Sequence, residues 1–142
     1  MGQIVALDSM VFIYWFEQDE RFILQVEPWF TKMETGKIEA ITSIVSPIEV
    51  LSATKFQSDP EKLNVFTHFF SETENLTIYD VNWEIGQEAA KLRREHKSLH
   101  TPDAIQLATA LVHKADIFVT NDIKLQNLSL PNLKILSLST IG

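Results

Sequence analysis

The sequence predicts a three-layer α/β/α fold around a central, mostly parallel sheet of about five strands, and three observations carry that expectation. Short apolar runs rich in β-branched residues alternate along the chain with amphipathic helical stretches. The runs are strand-length and are bounded by turn or capping residues. No linker-like tract, internal repeat or low-complexity segment divides the 142 residues, so residues 1–142 read as a single domain large enough to bury its own core.

Ile4-Val5-Ala6-Leu7 reads as a first strand buried on both faces, and Val11 to Phe16 as a short helix after it. From Phe22 to Glu34 the apolar residues Phe22, Ile23, Val26, Trp29, Phe30 and Met33 recur at helical steps, with Gly36 as a stop. A second strand spans Lys37 to Thr42. Ser46-Pro47-Ile48-Glu49 has the form of a capping box, which predicts a helix opening at Ser46. Asp59-Pro60 opens the next helix, with Leu63, Phe66, Phe69 and Phe70 as its stripe. Leu76 to Tyr79 is the third strand, and Asn82 to His96 is a helix with Ile85, Ala89 and Leu92 inward and a basic end. Thr101-Pro102-Asp103 repeats the cap, proline and acid pattern before the largely apolar helix through Leu111. Ile117 to Thr120 and Leu133 to Leu138 complete the strands.

Composition excludes several classes. Without cysteine there is neither a disulfide framework nor a thiolate metal site, which fits a reducing compartment. No apolar run approaches the roughly 20 residues that span a bilayer, and the N-terminus lacks a signal-like pattern, so the expectation is a cytoplasmic protein with no membrane partner. Ala6 stands where a myristoylation signal needs Ser or Thr. With four glycines and no glycine-rich phosphate loop, P-loop chemistry is unsupported. His96 and His100 are four apart, but Lys97 replaces the glutamate of a zinc-protease helix. A phosphatase using Asp8 as nucleophile would need an acid at position 10, where Met10 stands.

Four acids fall where α/β folds build sites: Asp8 after the first strand, Asp122 after the fourth, and Glu49 and Asp103 in first turns of helices. Each has a structural explanation as a cap, a turn former or a dipole partner. Together they form a set of hard oxygen donors suited to Mg2+ or Mn2+ and to phosphodiester chemistry. The net charge of −7 opposes contact with phosphate, unless bound cations cancel it locally.

Ile4-Val5-Ala6-Leu7-Asp8-Ser9, Thr42 to Leu51, Asp103 to Ala110 and Val119-Thr120-Asn121-Asp122 together resemble, in order and spacing, the motif series of PIN domains, VapC-like toxins above all. The resemblance runs from Ile4 to about Leu138. It implies that Asp8, Glu49, Asp103 and Asp122 are both the catalytic and the metal-binding acids, with Ser9 and Thr120 orienting ligands or a phosphate and Asn121 beside the fourth acid. It further implies Mg- or Mn-dependent RNA endonucleolysis by metal-activated water, leaving a 5′-phosphate and a 3′-hydroxyl. A homodimer and inhibition by an antitoxin protein are implied as well. The alternative is a catalytically inert PIN module that binds RNA or protein.

Arg93 and Arg94, with Lys97 and His100, precede the Asp103 motif and could guide an RNA backbone, or simply complement the helix C-terminus. Phe12, Trp15, Phe16, Phe22, Trp29 and Phe30 crowd the first third of the chain and read as core together with a partner or dimer surface around Val11 to Phe30.

Overall fold

The computed structural model describes residues 2–138; Met1 and residues 139–142, which the single-domain reading includes, lie outside the described residues. Five strands, β1 (Gln3–Leu7), β2 (Ile38–Ser43), β3 (Leu76–Tyr79), β4 (Ile117–Thr120) and β5 (Lys134–Ser137), form one sheet in the order β3-β2-β1-β4-β5. Every pairing is parallel, so the sheet is wholly rather than mostly parallel. The helices are α1 (Ser9–Glu17), α2 (Ile23–Glu34), α3 (Val45–Leu51), α4 (Pro60–Glu72), α5 (Trp83–Glu95), α6 (Thr101–Val112) and α7 (Ile123–Gln126). A 3-10 turn, Thr54–Gln57, joins α3 to α4.

Strand alternation divides the core between the two faces of the sheet. Val5, Leu7, Ile38, Ala40, Ile117 and Val119 point to one face, where they pack with Phe12, Phe30, Val50 and Phe70 from α1 to α4. Ala6, Ile41 and Phe118 point to the other, against Ile85 and Leu92 of α5, Leu107 of α6 and Leu125 of α7. The chain winds outward from β1 to β3 over the first face, then returns over the second to place β4 on the other side of β1. That reversal makes the carboxyl ends of β1 and β4 the switch point of the sheet, where α/β folds open a crevice.

The aromatic residues of the first third largely knit α1 to α2 and α4. Phe12 meets Phe30 edge-on at 5.9 Å, Trp15 stacks on Phe30 at 4.6 Å, and Phe16 stacks on Phe66 at 4.2 Å. Trp15, Phe16 and Phe22 stay partly exposed.

Local signals placed most helices well. Asp59 caps α4 by accepting from Lys62 N, and Gly36, at φ 75°, ends the turn after α2 as only a residue tolerant of the left-handed region does cheaply. Asn82 caps α5 through a 2.9 Å bond from Ile85 N. Asn82→Ala is expected to cost about 1 kcal/mol, read as a drop of a few degrees in a thermal melt. Two predicted starts are corrected. Helix α3 begins at Val45, with Ser46 inside it and buried, because the Ser46 hydroxyl is taken by Thr42 and Gln106 rather than by its own helix end; Glu49 closes no capping box. Helix α6 has His100, not Thr101, at its cap position, and Asp103 Oδ2 reaches back to accept from His100 N at 3.2 Å.

Candidate active site

Asp8 leaves the end of β1 and is held there from both sides. Its backbone N–H donates to Val119 O of β4 at 3.1 Å; one carboxylate oxygen accepts from Ser9 N at 2.8 Å, capping α1, and the other from the Thr120 hydroxyl at 2.7 Å. The Thr120 oxygen in turn accepts from Asp122 N at 3.1 Å, so its single hydrogen is committed to Asp8. Residues 120 to 122 are thereby fastened to Asp8 across the switch point.

Glu49 arrives from α3. The buried Ser9 hydroxyl donates to Glu49 Oε1 at 2.8 Å, linking the residue after Asp8 to the second acid. Asp103 sits in the first turn of α6. Burial raises the pKa of Asp8 from its ordinary 3.8 to about 6; the bonds from Thr120 and Ser9 oppose that rise, and the nearby charges of Asp103 and Glu49 add to it. Asp8, Asp103 and Glu49 therefore share one electrostatic environment. Asp122 is joined to it through its backbone, while its own Oδ1 caps α7 by accepting from Lys124 N at 2.9 Å. Asn121 is turned away to donate to the Tyr14 hydroxyl at 3.1 Å.

Three of the four acids thus serve as caps: Asp8, for which the sequence offered that role, Asp103, read as a helix-dipole partner, and Asp122, read as a turn former. A cap uses few of a carboxylate's four lone-pair sites, so the acids keep capacity for a further partner. Among the described residues, no three His, Cys, Asp or Glu side chains form a ready-made metal cage. The donor set suits a hard divalent cation all the same: it offers carboxylate oxygens, and Mg2+ keeps several waters and needs only one or two direct carboxylates.

The two arginines lie elsewhere. Arg93 donates to Leu99 O at 3.3 Å and to the Thr101 hydroxyl at 3.0 Å, bracing the α5–α6 connection. Arg94 lines a surface groove of about 600 Å3 beside Trp83, Gln87 and Lys91, and none of the four acids borders it. Sequence reasoning missed the buried trio Thr42, Ser46 and Gln106 beneath the acids. The available signal was a glutamine set in the otherwise apolar core of α6.

Fold and site together define a three-layer α/β protein with acidic side chains grouped at its switch point. Residues 5–130 match the PIN domain, and the chain belongs to the PIN domain family. Among curated protein sequences, none is a match. The fold is shared with a chain of the toxin-antitoxin complex from Klebsiella pneumoniae, at TM-score 0.64 and 22% identity over 91% of this chain and 94% of that one. It is shared too with VapBC2 from Rickettsia felis bound to a promoter DNA fragment, at TM-score 0.69 and 18% identity over 95% and 98% of the chains. DNA-bound VapBC from Salmonella typhimurium gives TM-score 0.68 and 16% identity over 97% and 99%. At these identities the likeness is one of fold. No helix of the described residues is long and apolar enough to cross a membrane.

Proposed function

We propose that this single-domain protein is a metal-dependent endoribonuclease, the toxin partner of a VapBC-type pair. The observation that supports it is Asp8: a partly buried carboxyl at the switch point, pushed up to about 6 by burial and by two neighbouring acids. A fold gains no stability from gathering like charges in a half-dry crevice, whereas a cation-binding site needs them there. Membership of a family whose members are generally nucleases supports the same reading, and the toxin–antitoxin neighbours support an antitoxin as partner.

In this reading Asp8 and Asp103 hold the principal Mg2+ or Mn2+, and Asp122 favours a second, weaker ion. When bound, such an ion supplies positive charge that draws in the phosphodiester and acidifies an attacking water. Glu49, exposed and oriented by Ser9, accepts the water proton or completes the ion's surroundings. Thr120 and Ser9 keep the two carboxylates aimed. Arg94, which makes no ion pair among the described residues, is available to a passing RNA backbone, while Arg93 is already engaged in its brace. A homodimer and a cytoplasmic setting complete the proposal.

The caps that Asp8, Asp103 and Asp122 make favour a second reading in which these acids only end helices, an inert PIN module that binds RNA or protein. Incubating the purified protein with RNA and Mn2+, with and without a chelator, separates the two. Cleavage that leaves 5′-phosphate ends and stops on chelation is the expected result; intact RNA in both lanes leaves only the inert module.

A further inference from the structure

Beneath the acids lies a buried polar network whose hydrogens can all be assigned. The Thr42 hydroxyl donates to Leu7 O at 2.8 Å. Having one hydrogen, Thr42 must then accept from Ser46 Oγ, 2.6 Å away. Ser46, its own hydrogen spent, accepts from Gln106 Nε2 at 2.8 Å. Ser9 gives its hydrogen to Glu49 and accepts from the same Gln106 nitrogen at 3.1 Å. The amide cannot be reversed, because Gln106 Oε1 faces Ser43 N–H at 3.4 Å. Ser9 and Ser46, whose oxygens are 3.3 Å apart, are therefore two acceptors sharing one NH2 group rather than partners of each other.

We propose that Gln106 is a positioning residue for the candidate site: its two amide hydrogens set the direction of the network so that Ser9 donates to Glu49. Gln106 is 3% exposed, and its hydrogen bonds go to Ser43, Ser9 and Ser46 rather than to an acid. Its effect is to occupy the accepting side of Ser9 and of Ser46 at once. Without it, the Ser46 oxygen, 3.3 Å from Ser9, is freed to compete for the Ser9 hydrogen, and the bond to Glu49, the one donor to its carboxylate among the described residues, is no longer enforced. The branch through Ser46 and Thr42 ends on the backbone of β1 and serves the fold, whereas the branch through Ser9 ends on the site. The inference rests on the nuclease reading only for its kinetic consequence.

Gln106→Glu is the sharpest test, since it keeps the shape and replaces the donor by an acceptor. Crystal structures of this variant and of Gln106→Met, which covers the case that a buried carboxylate does not fold, are compared with Ser46→Ala. Both Gln106 variants are expected to show the Glu49 carboxylate off Ser9, while Ser46→Ala keeps that bond. In RNA cleavage with Mn2+, the Gln106 variants lose about ten- to a hundredfold in kcat at unchanged KM, the usual cost of removing an outer-shell partner, and Ser46→Ala keeps the wild-type kcat. Glu49 still on Ser9 in both Gln106 variants overturns the proposal, as does an unchanged kcat or an equal loss in Ser46→Ala. Wild-type protein that cuts no RNA sinks the nuclease reading instead, and the crystallographic comparison still decides the role of Gln106.

Discussion

Asp8→Asn is expected to abolish RNA cleavage, by about a thousandfold or more, while making the folded protein more stable at neutral pH. The activity loss follows from removing the charge at the centre of the site, where an ion contributes several kcal/mol at about 1.4 kcal/mol per tenfold. The stability gain follows from the direction of the Asp8 shift. Folding raises its pKa from 3.8 to about 6, so the native state holds the proton more tightly than the unfolded chain does. Stability is full below about pH 4, declines as the pH rises through 6, and stays lower above it. The shift corresponds to at most about 3 kcal/mol, reduced by the partial exposure of the group. Asn keeps an oxygen for Thr120 or Ser9 and removes the ionisation, so the decline between about pH 4 and 6 vanishes from the variant's denaturation curve. Asp103→Asn should lose activity to a similar degree, with a smaller gain in stability, because its charge is only one of the contributors to the cost at Asp8. Undiminished cleavage in both variants would falsify the assignment. An Asp8→Asn protein that melts lower than wild type at neutral pH would show instead that the hydrogen bonds of Asp8 outweigh its burial.

What could be read from the sequence divides along the range of the forces involved. Strand and helix identities are local: Ile4 to Leu7 and Ile117 to Val119 are apolar because both faces of the sheet are covered, and that is visible without any partner. The four acids stood out in the sequence because all four fall where strands end or helices were expected to begin, and the family motif joined them; in the structure Glu49 lies beyond the first turn of α3. Capping was less secure. Ser46 has the residue type and spacing of a cap, but a glutamine 60 positions later captures its hydroxyl, and the helix starts one residue before it. Arg93 matched the dipole of α5 yet is spent on Thr101 across the turn. The network under the site was invisible for the same reason, since Gln106 and Ser9 are 97 residues apart and only the packing of α6 across β2 brings them together. A polar residue inside an apolar helix marks where such a partner must exist, without saying which residue it is.

Mn2+ is expected to raise the melting temperature of the wild-type protein steeply at neutral pH and far less at about pH 5. Ion binding selects the ionised carboxylates, so it must first displace whatever proton Asp8 holds. Below its raised pKa of about 6 that proton is present in most molecules, and the ion competes with it; above 6 the site is already charged and strained by the neighbouring Asp103 and Glu49. Ligand at about a thousand times its Kd stabilises by roughly 4 kcal/mol, which for a chain of this size moves the midpoint by about 10 °C. The increase should shrink by more than half at about pH 5 and be lost in Asp8→Asn at either pH. Differential scanning fluorimetry across Mn2+ concentration and pH reads all three outcomes. An equal rise at both pH values would place the ion on groups other than Asp8. No rise at neutral pH, in protein that is otherwise folded, would remove the cation from the site and with it the reason for the acids to stand together.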